Sequence, residues 1–316
     1  MIEINDLVKM YGNKAAVDGV TFTVGKGEVV GFLGPNGAGK STTMNIITGY
    51  LSSTAGQVKV GGIDVLEHPN EAKKLIGFLP EQPPLYVDMT VDEYLDFVYE
   101  IKGCTLPRDK HLEEVRRQTK IDDVKDRVIK NLSKGYRQRV GIAQALVGNP
   151  PVIIFDEPTV GLDPKQIIEI RNLIRNLGKN HTVILSTHIL SEVQSVCDRV
   201  IIINDGKIIA DEKTENITRT VEENRRYTFS ICGPQKDVLR ELKEIPGVVS
   251  VELTGERESD SYTYAVESER GVDVRKPVFF AMSEKGRAII GMQSSGMNLE
   301  DVFIKITEKT AGKGRR

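Results

Sequence analysis

Two stretches of this chain hold the residue types that handle phosphate. Gly34-Pro35-Asn36-Gly37-Ala38-Gly39-Lys40-Ser41, followed by Thr42, fits G-x-x-x-x-G-K-S/T and lies between an apolar run, Val29–Leu33, and a helical pattern, Gly39–Gly49. The glycines let backbone N–H groups close round phosphate oxygens, and the helix N-terminus adds the positive end of its dipole. Lys40 is then placed to reach the β/γ-phosphates of a nucleotide, and Ser41 to coordinate Mg²⁺. The second stretch, Val152-Ile153-Ile154-Phe155-Asp156-Glu157, reads as an apolar strand that ends in two carboxylates. Burying acids at a strand end is costly unless a cation or a reacting water uses them. Asp156 is therefore expected to hold Mg²⁺, and Glu157 to orient and polarise an attacking water.

A guanine-reading alternative has one match: Thr119-Lys120-Ile121-Asp122 fits N/T-K-x-D. That pattern should follow an apolar strand, whereas here it follows the charged helical run His111–Gln118, so coincidence is the better reading.

The elements that must position these residues can be read from the pattern. From Met1 to about Ile217 short apolar β-rich runs alternate with helical patterns: Val29–Leu33 then Gly39–Gly49, Val152–Phe155 then Lys165–Leu177, Thr182–Ser186 then Leu190–Cys197. Such alternation predicts a parallel α/β sheet. Between about Thr90 and Asn149 the strands stop and amphipathic runs (Val91–Ile101, His111–Lys120, Tyr136–Val147) predict a helical lobe inside that domain. A charged stretch then marks a linker over residues 218–226. Beyond it, Tyr227–Ile231, Gln235–Ile245, Val248–Leu253, Ser261–Glu267, Arg275–Glu284 and Ala288–Met292 read as β, α, β, β, α, β. That order is the ferredoxin-like split βαβ arrangement, with Gly255–Asp260 as a solvated turn. A final helix, Leu299–Thr307, closes this second domain at about residue 308, and residues 309–316 form a basic tail.

Composition agrees with two ordinary folded domains. The chain has 316 residues, about twice the usual domain length. Forty-three basic against 45 acidic residues leave a net charge of −2, so no basic field exists to hold a nucleic acid. The longest apolar runs, such as Val200–Ile203, are strand-length and too short to cross a bilayer. Met1–Lys9 lacks the pattern of a signal peptide, and Cys104, Cys197 and Cys232 are too few and scattered for a disulfide framework or a zinc site. A reducing cytoplasm is the expected location.

Over about Met1–Glu212 the chain resembles the ATP-binding subunits of ABC transporters. The resemblance rests on five ordered motifs. Besides the two above, they are Leu132-Ser133-Lys134-Gly135-Tyr136-Arg137-Gln138-Arg139, Gly161-Leu162-Asp163, and His188 at the end of the run Thr182–Ser186. With Leu299-Glu300-Asp301-Val302-Phe303 downstream, the set looks most like the bacterial subgroup of ABC-2-like exporters. The resemblance implies a P-loop ABC-type ATPase domain with its helical lobe, ATP and Mg²⁺ as cofactors, and a homodimer or heterodimer that closes round two nucleotides. It implies that Ser133 and Gly135 meet the γ-phosphate held by the other protomer, that His188 contacts that phosphate and keeps Glu157 and the water in register, and that Asp163 links the two sites. Tyr11 takes the place of the aromatic that stacks on adenine. Two positions depart from the family pattern L-S-G-G-Q, Lys134 replacing the first glycine and Tyr136 the glutamine. The family's glutamine before the helical lobe, which touches Mg²⁺ and the permease, falls on Gln82 by residue type and on Glu81 by counting back from Thr90-Val91.

The function so implied is ATP hydrolysis that powers a separate transmembrane permease, from the inner face of the cell membrane. A soluble ABC-type ATPase uncoupled from transport is the alternative. Such proteins usually carry two cassettes, zinc motifs or long heptad arms, and none of these is written here.

Overall fold

The computed structural model describes residues 1–217, 226–258, 260–269 and 271–295. The chain divides into two compact units, the first Met1–Thr214 and the second starting at Glu215. In the first unit the chain order is β1 (Ile2–Tyr11), β2 (Lys14–Val24), β3 (Val29–Leu33), α1 (Lys40–Ile47), β4 (Ala55–Val60), β5 (Ile63–Asp64), α2 (Pro69–Lys74), β6 (Ile76–Leu79), α3 (Val91–Ile101), α4 (Arg108–Thr119), α5 (Lys134–Leu146), β7 (Val152–Asp156), α6 (Pro164–Leu177), β8 (Thr182–Thr187), α7 (Leu190–Val196), β9 (Arg199–Asn204) and β10 (Lys207–Lys213).

The central sheet has the order β10-β9-β3-β8-β7-β6 and is parallel apart from the edge strand β10. Every residue of β3, β7 and β8 is buried, as expected of strands covered on both faces. Because β8 lies between β3 and β7, the register pairs Leu33 with Thr187 and Asp156 with Ser186. The carboxyl ends of three adjacent strands thus deliver the phosphate loop, the acid pair and His188 to one crevice, where ligands of open α/β sheets bind.

A second sheet, antiparallel with the order β2-β1-β4-β5, departs from the all-parallel expectation. Its strands alternate in burial, with Ile2 and Ile4 buried and Glu3 exposed, the period of a sheet with one wet face. Both sheets pack on α1: one apolar cluster joins Ile2, Phe22 and Val60 to Met44 and Ile47, and these to Phe32 and Ile154. Met44 is fully buried, and truncating such a side chain to alanine costs about 2–5 kcal/mol. The helix that starts at the phosphate loop is therefore held from both sides.

The helical lobe is α3 to α5. Its first helix opens on a capping box in which Thr90 Oγ1 accepts from Glu93 N at 3.2 Å and Glu93 Oε2 accepts from Thr90 N at 2.8 Å. The Thr119–Asp122 match sits at the end of α4, where Lys120 (φ 55°) takes the left-handed conformation and Asp122 pairs with Arg116 at 3.1 Å. It follows a helix, not a strand.

The second unit runs β11 (Arg226–Cys232), α8 (Gln235–Lys243), β12 (Val248–Glu258), β13 (Ser261–Ser268), α9 (Arg275–Glu284) and β14 (Ile289–Ser295). The sheet order β12-β13-β11-β14, antiparallel throughout, is that of the ferredoxin-like fold. Tyr227, Phe229 and Tyr264 on its inner face pack with Val238 and Leu242 of α8 and Val278 and Met282 of α9. The segment Gly255–Asp260 is not the turn its charges suggested. Strand β12 continues to Glu258, which pairs with Ser261, and Asp260 (φ 69°) turns the chain. Strand β12 lies at the edge of the sheet. Arg226, counted above with the linker, opens β11. Residues 218–225, the helix expected at Leu299–Thr307 and the basic tail lie outside the described residues.

Candidate nucleotide site

The phosphate loop leaves β3 at Gly34 and enters α1 at Lys40. Two of its glycines are required by what surrounds them. A Cβ on Gly34 would lie 2.3 Å from the Ile203 carbonyl oxygen, and one on Gly39 would lie 2.4 Å from that of Ala16, with φ of Gly39 at 106°. Lys40, 5% exposed, folds back along the loop and donates from Nζ to the carbonyl oxygens of Gly34 (2.8 Å) and Pro35 (3.1 Å).

The same ammonium lies 3.3 Å from Glu157 Oε1, an approach not aligned as a hydrogen bond. The other oxygen, Oε2, is 2.9 Å from His188 Nδ1. A carboxylate can only accept, so Nδ1 carries the proton. Glu157 is buried and sits at φ 50°, with its N–H bound to the Ser186 carbonyl at 3.0 Å. A non-glycine residue held there costs about 1–3 kcal/mol, a strain that clusters at working sites. Asp156 is buried too, and its Oδ1 has no hydrogen-bond partner among the described residues.

Lys40, Glu157 and His188 open on a cleft of about 510 Å³ lined also by Ala16, Asn36, Gly37, Gly39, Ser41, Thr42, Glu81 and Val160; Asp156 is not part of its wall. Of the two residues left open before the helical lobe, Glu81 lines the cleft; Gln82 is not part of its wall. Tyr11 stands apart from it at the end of β1, 52% exposed, with Lys9 Nζ 5.4 Å from its ring centre.

Ser133 and Asp163 are exposed away from this cleft's wall, with Gly135 buried beside them. Ser133 caps α5, its hydroxyl accepting from Tyr136 N at 3.4 Å, and Asp163 caps α6, its Oδ1 accepting from Gln166 N at 2.9 Å. The two caps touch: the Gln166 amide lies against Gly135, where a Cβ would be only 2.6 Å from its Cδ. Tyr136, at the family's glutamine position, donates its phenol to Asp123 at 2.7 Å, which raises the phenol above its usual range. Its side chain is thereby committed to the lobe.

The sequence reading missed Glu192. Placed among the apolar residues Leu190, Val193 and Val196 of α7, it is 1% exposed and accepts from Thr159 and Thr187. An acid inside an apolar helical stripe was the available signal.

Comparison with known proteins agrees with this geometry. Residues 17–160 match the ABC transporter family model. The bacitracin transport ATP-binding protein BcrA of Bacillus licheniformis is 36% identical over 76% of this chain and 78% of its own length. The Nod factor export ATP-binding protein I of Paraburkholderia xenovorans (strain LB400) is 32% identical over 97% of this chain and 96% of its own. Among solved structures, a dimeric ATP-binding cassette, MJ0796, in a post-hydrolysis state bound to ADP and Pi superposes with a TM-score of 0.62 at 30% identity, over 68% of this chain and 99% of that one. The chain belongs to the ATP-binding proteins of ABC transporters. It is an ATPase, the nucleotide-hydrolysing subunit that powers a transporter. No described helix is long and apolar enough to cross a membrane.

Proposed function

We propose that two such subunits, identical or different, close on two molecules of MgATP and drive an exporting transmembrane permease from the cytoplasmic face of the cell membrane. The observation that carries this reading is the Glu157 carboxylate, held between Lys40 and His188 at the edge of the phosphate cleft. Backbone N–H groups of the loop and Lys40 take the phosphates. Glu157 takes a proton from the attacking water, and the hydrogen bond from His188 fixes which way its carboxylate faces. Tyr11 offers a ring face to adenine.

The residues fit a divalent cation, because Asp156 Oδ1, next in the chain to the cleft-lining Glu157, is a buried acceptor with no partner among the described residues, and Ser41 lines the cleft. Ser41 and Asp156 would hold Mg²⁺, with Glu81 rather than Gln82 the neighbour on the cleft wall. When bound, the ion neutralises charge on the transferring phosphoryl group. Beyond Glu81 the chain presents Tyr86, packed edge-on to Phe97 at 5.0 Å, and Val87 to solvent, a surface suited to the permease. Export is supported by the relative named for Nod factor export.

Ser133 and Gly135 lie outside the cleft that holds Lys40, so in this reading they complete the partner subunit's site, with Asp163 between. Ser133→Arg should bind ATP but neither dimerise nor hydrolyse it. Mixing it with Lys40→Ala protein, itself inactive, creates heterodimers with one intact site, and hydrolysis should partly return. Wild-type turnover by monomeric Ser133→Arg would overturn the shared-site mechanism.

A further inference from the structure

Behind the two strand ends lies a buried acid that the mechanism above does not use. Glu192 is 1% exposed, and each of its carboxylate oxygens accepts from a threonine hydroxyl, Oε1 from Thr159 at 2.5 Å and Oε2 from Thr187 at 2.7 Å. The Arg171 guanidinium of α6 stands 3.5 Å from Oε1 and offsets the charge. A carboxylate this deep is costly unless its lone pairs are taken up, and here the donors come from separate segments. Thr159 lies two residues beyond Glu157 and opens the turn that leads through Gly161 to Asp163. Thr187 ends β8 and immediately precedes His188; its hydroxyl also accepts from Ile189 N at 3.1 Å, which shapes the turn carrying the imidazole. Beyond the strand pairing that ends with Asp156 opposite Ser186, the backbone ties the two segments through Glu157 N and the Ser186 carbonyl.

We propose that Glu192 is a positioning residue for ATP hydrolysis. By binding Thr159 and Thr187 to one carboxylate it fixes the turn after Glu157 against the turn that carries His188, and so sets the carboxylate–imidazole pair that faces the water. Through Thr159 the same clamp reaches the segment that ends at Asp163. The inference rests on the roles given above to Glu157 and His188.

Replacing Glu192 itself strands Arg171 and threatens folding, so the test uses the threonines in the full-length chain. Thr187→Val keeps shape and loses the hydroxyl; Thr187→Ser keeps the hydroxyl. Misplacement of a reacting group by a neighbour's loss lowers rate by about ten- to a hundredfold. The expected result is a fall of that size in kcat for Thr187→Val, with KM for ATP and the melting temperature near wild type, and recovery in Thr187→Ser. Thr159→Val should behave like Thr187→Val. Because Thr187 acts through His188, adding Thr187→Val to His188→Ala should cost nothing further, whereas independent effects would multiply. Wild-type kcat in both valine variants, or multiplication in the double variant, overturns the positioning role. Wild-type kcat in His188→Ala overturns the site reading and takes the positioning role with it, while a crippled His188→Ala beside normal valine variants removes only the latter.

Discussion

Lys40 Nζ and Glu157 Oε1 stand 3.3 Å apart with side chains only 5% and 7% exposed, so the cation and the base of the proposed mechanism are partners of each other. A polyphosphate carries more negative charge than one carboxylate and approaches through the same cleft. In the proposed mechanism its arrival would draw Lys40 off Glu157 and leave that carboxylate to the water and His188. Each half of a buried pair also suffers when the other is removed, by about 3–5 kcal/mol.

Lys40→Ala should therefore abolish tight ATP binding and hydrolysis, and also lower the stability of the nucleotide-free protein. Adding Glu157→Gln, which removes the stranded charge, should restore part of that stability without restoring binding. Titration calorimetry and thermal melts read both effects. Normal turnover in Lys40→Ala would remove the phosphate-loop assignment.

Glu157→Gln alone keeps the shape and an acceptor for His188 but loses the base. MgATP binding should persist while turnover falls by about 10²–10⁴, the range a positioned general base contributes. The unhydrolysed nucleotide should trap a dimer, visible by size exclusion with ATP. A monomer with undiminished hydrolysis would count against both the base and the closed pair.

Much of this site was legible because its residues are contiguous and their spacing is dictated by the ligand. Gly34–Ser41 announces a loop between a strand and a helix, and Phe155-Asp156-Glu157 announces acids at the end of a buried strand. What the sequence hid depends on contacts between distant segments. That Lys40 rests on Glu157, or that one Glu192 joins Thr159 to Thr187, follows from β8 lying between β3 and β7, and strand order is not written in any local pattern. The antiparallel sheet was missed for a different reason. Its strands β1 and β2 alternate in burial over short runs, and the helix–strand alternation that followed was read as covering them. Counting placed Glu81 where residue type favoured Gln82, and only the cleft wall separates the two.

The C-terminal end of α5 is tied by a bond that acid should break. His111 Nε2 accepts from Gly148 N at 3.0 Å, which requires the neutral ring. Burial, and then the nearby Lys102 charge, hold the imidazole below its usual 6.5. With the folded pKa below the unfolded one, the unfolded state binds more protons between the two values, so stability rises with pH there. The contribution is complete above about pH 6.5 and is lost as the pH falls through that value towards the folded pKa. In His111→Gln the dependence should vanish, so the stability gap to wild type narrows on acidification. A gap that stays constant from neutral to mildly acidic pH in denaturant titrations would show that the bond contributes nothing.

Every candidate nucleotide residue precedes Thr214, where the first compact unit ends. A chain stopped at Ile217 should consequently melt cooperatively and bind ATP as the full chain does. Insoluble or non-binding protein would mean that the second unit is needed to complete the first.

Gly135 offers a way to disturb the shared surface without touching the nucleotide loop. A methyl group there would lie 2.6–2.9 Å from the Gln166 amide atoms. That amide is one half of the capping box on α6, its Oε1 accepting from Asp163 N at 3.5 Å while Asp163 Oδ1 accepts from Gln166 N at 2.9 Å. Gly135→Ala therefore has to push the Gln166 side chain off Asp163. Losing a cap of this kind costs about 1 kcal/mol, too little to unfold the domain but enough to shift the Asp163 turn. ATP binding to the monomer should stay unchanged, since Lys40 and its loop are elsewhere, while ATP-driven dimerisation weakens. Combining Gly135→Ala with Gln166→Ala removes the collision but not the loss of the amide's bond to Asp163. Recovery of dimerisation in the double variant assigns the defect to crowding at Gly135; persistence assigns it to the freed Asp163 turn. Sedimentation with ATP that shows wild-type dimerisation in the single variant would mean that this contact between the caps of α5 and α6 plays no part in closure.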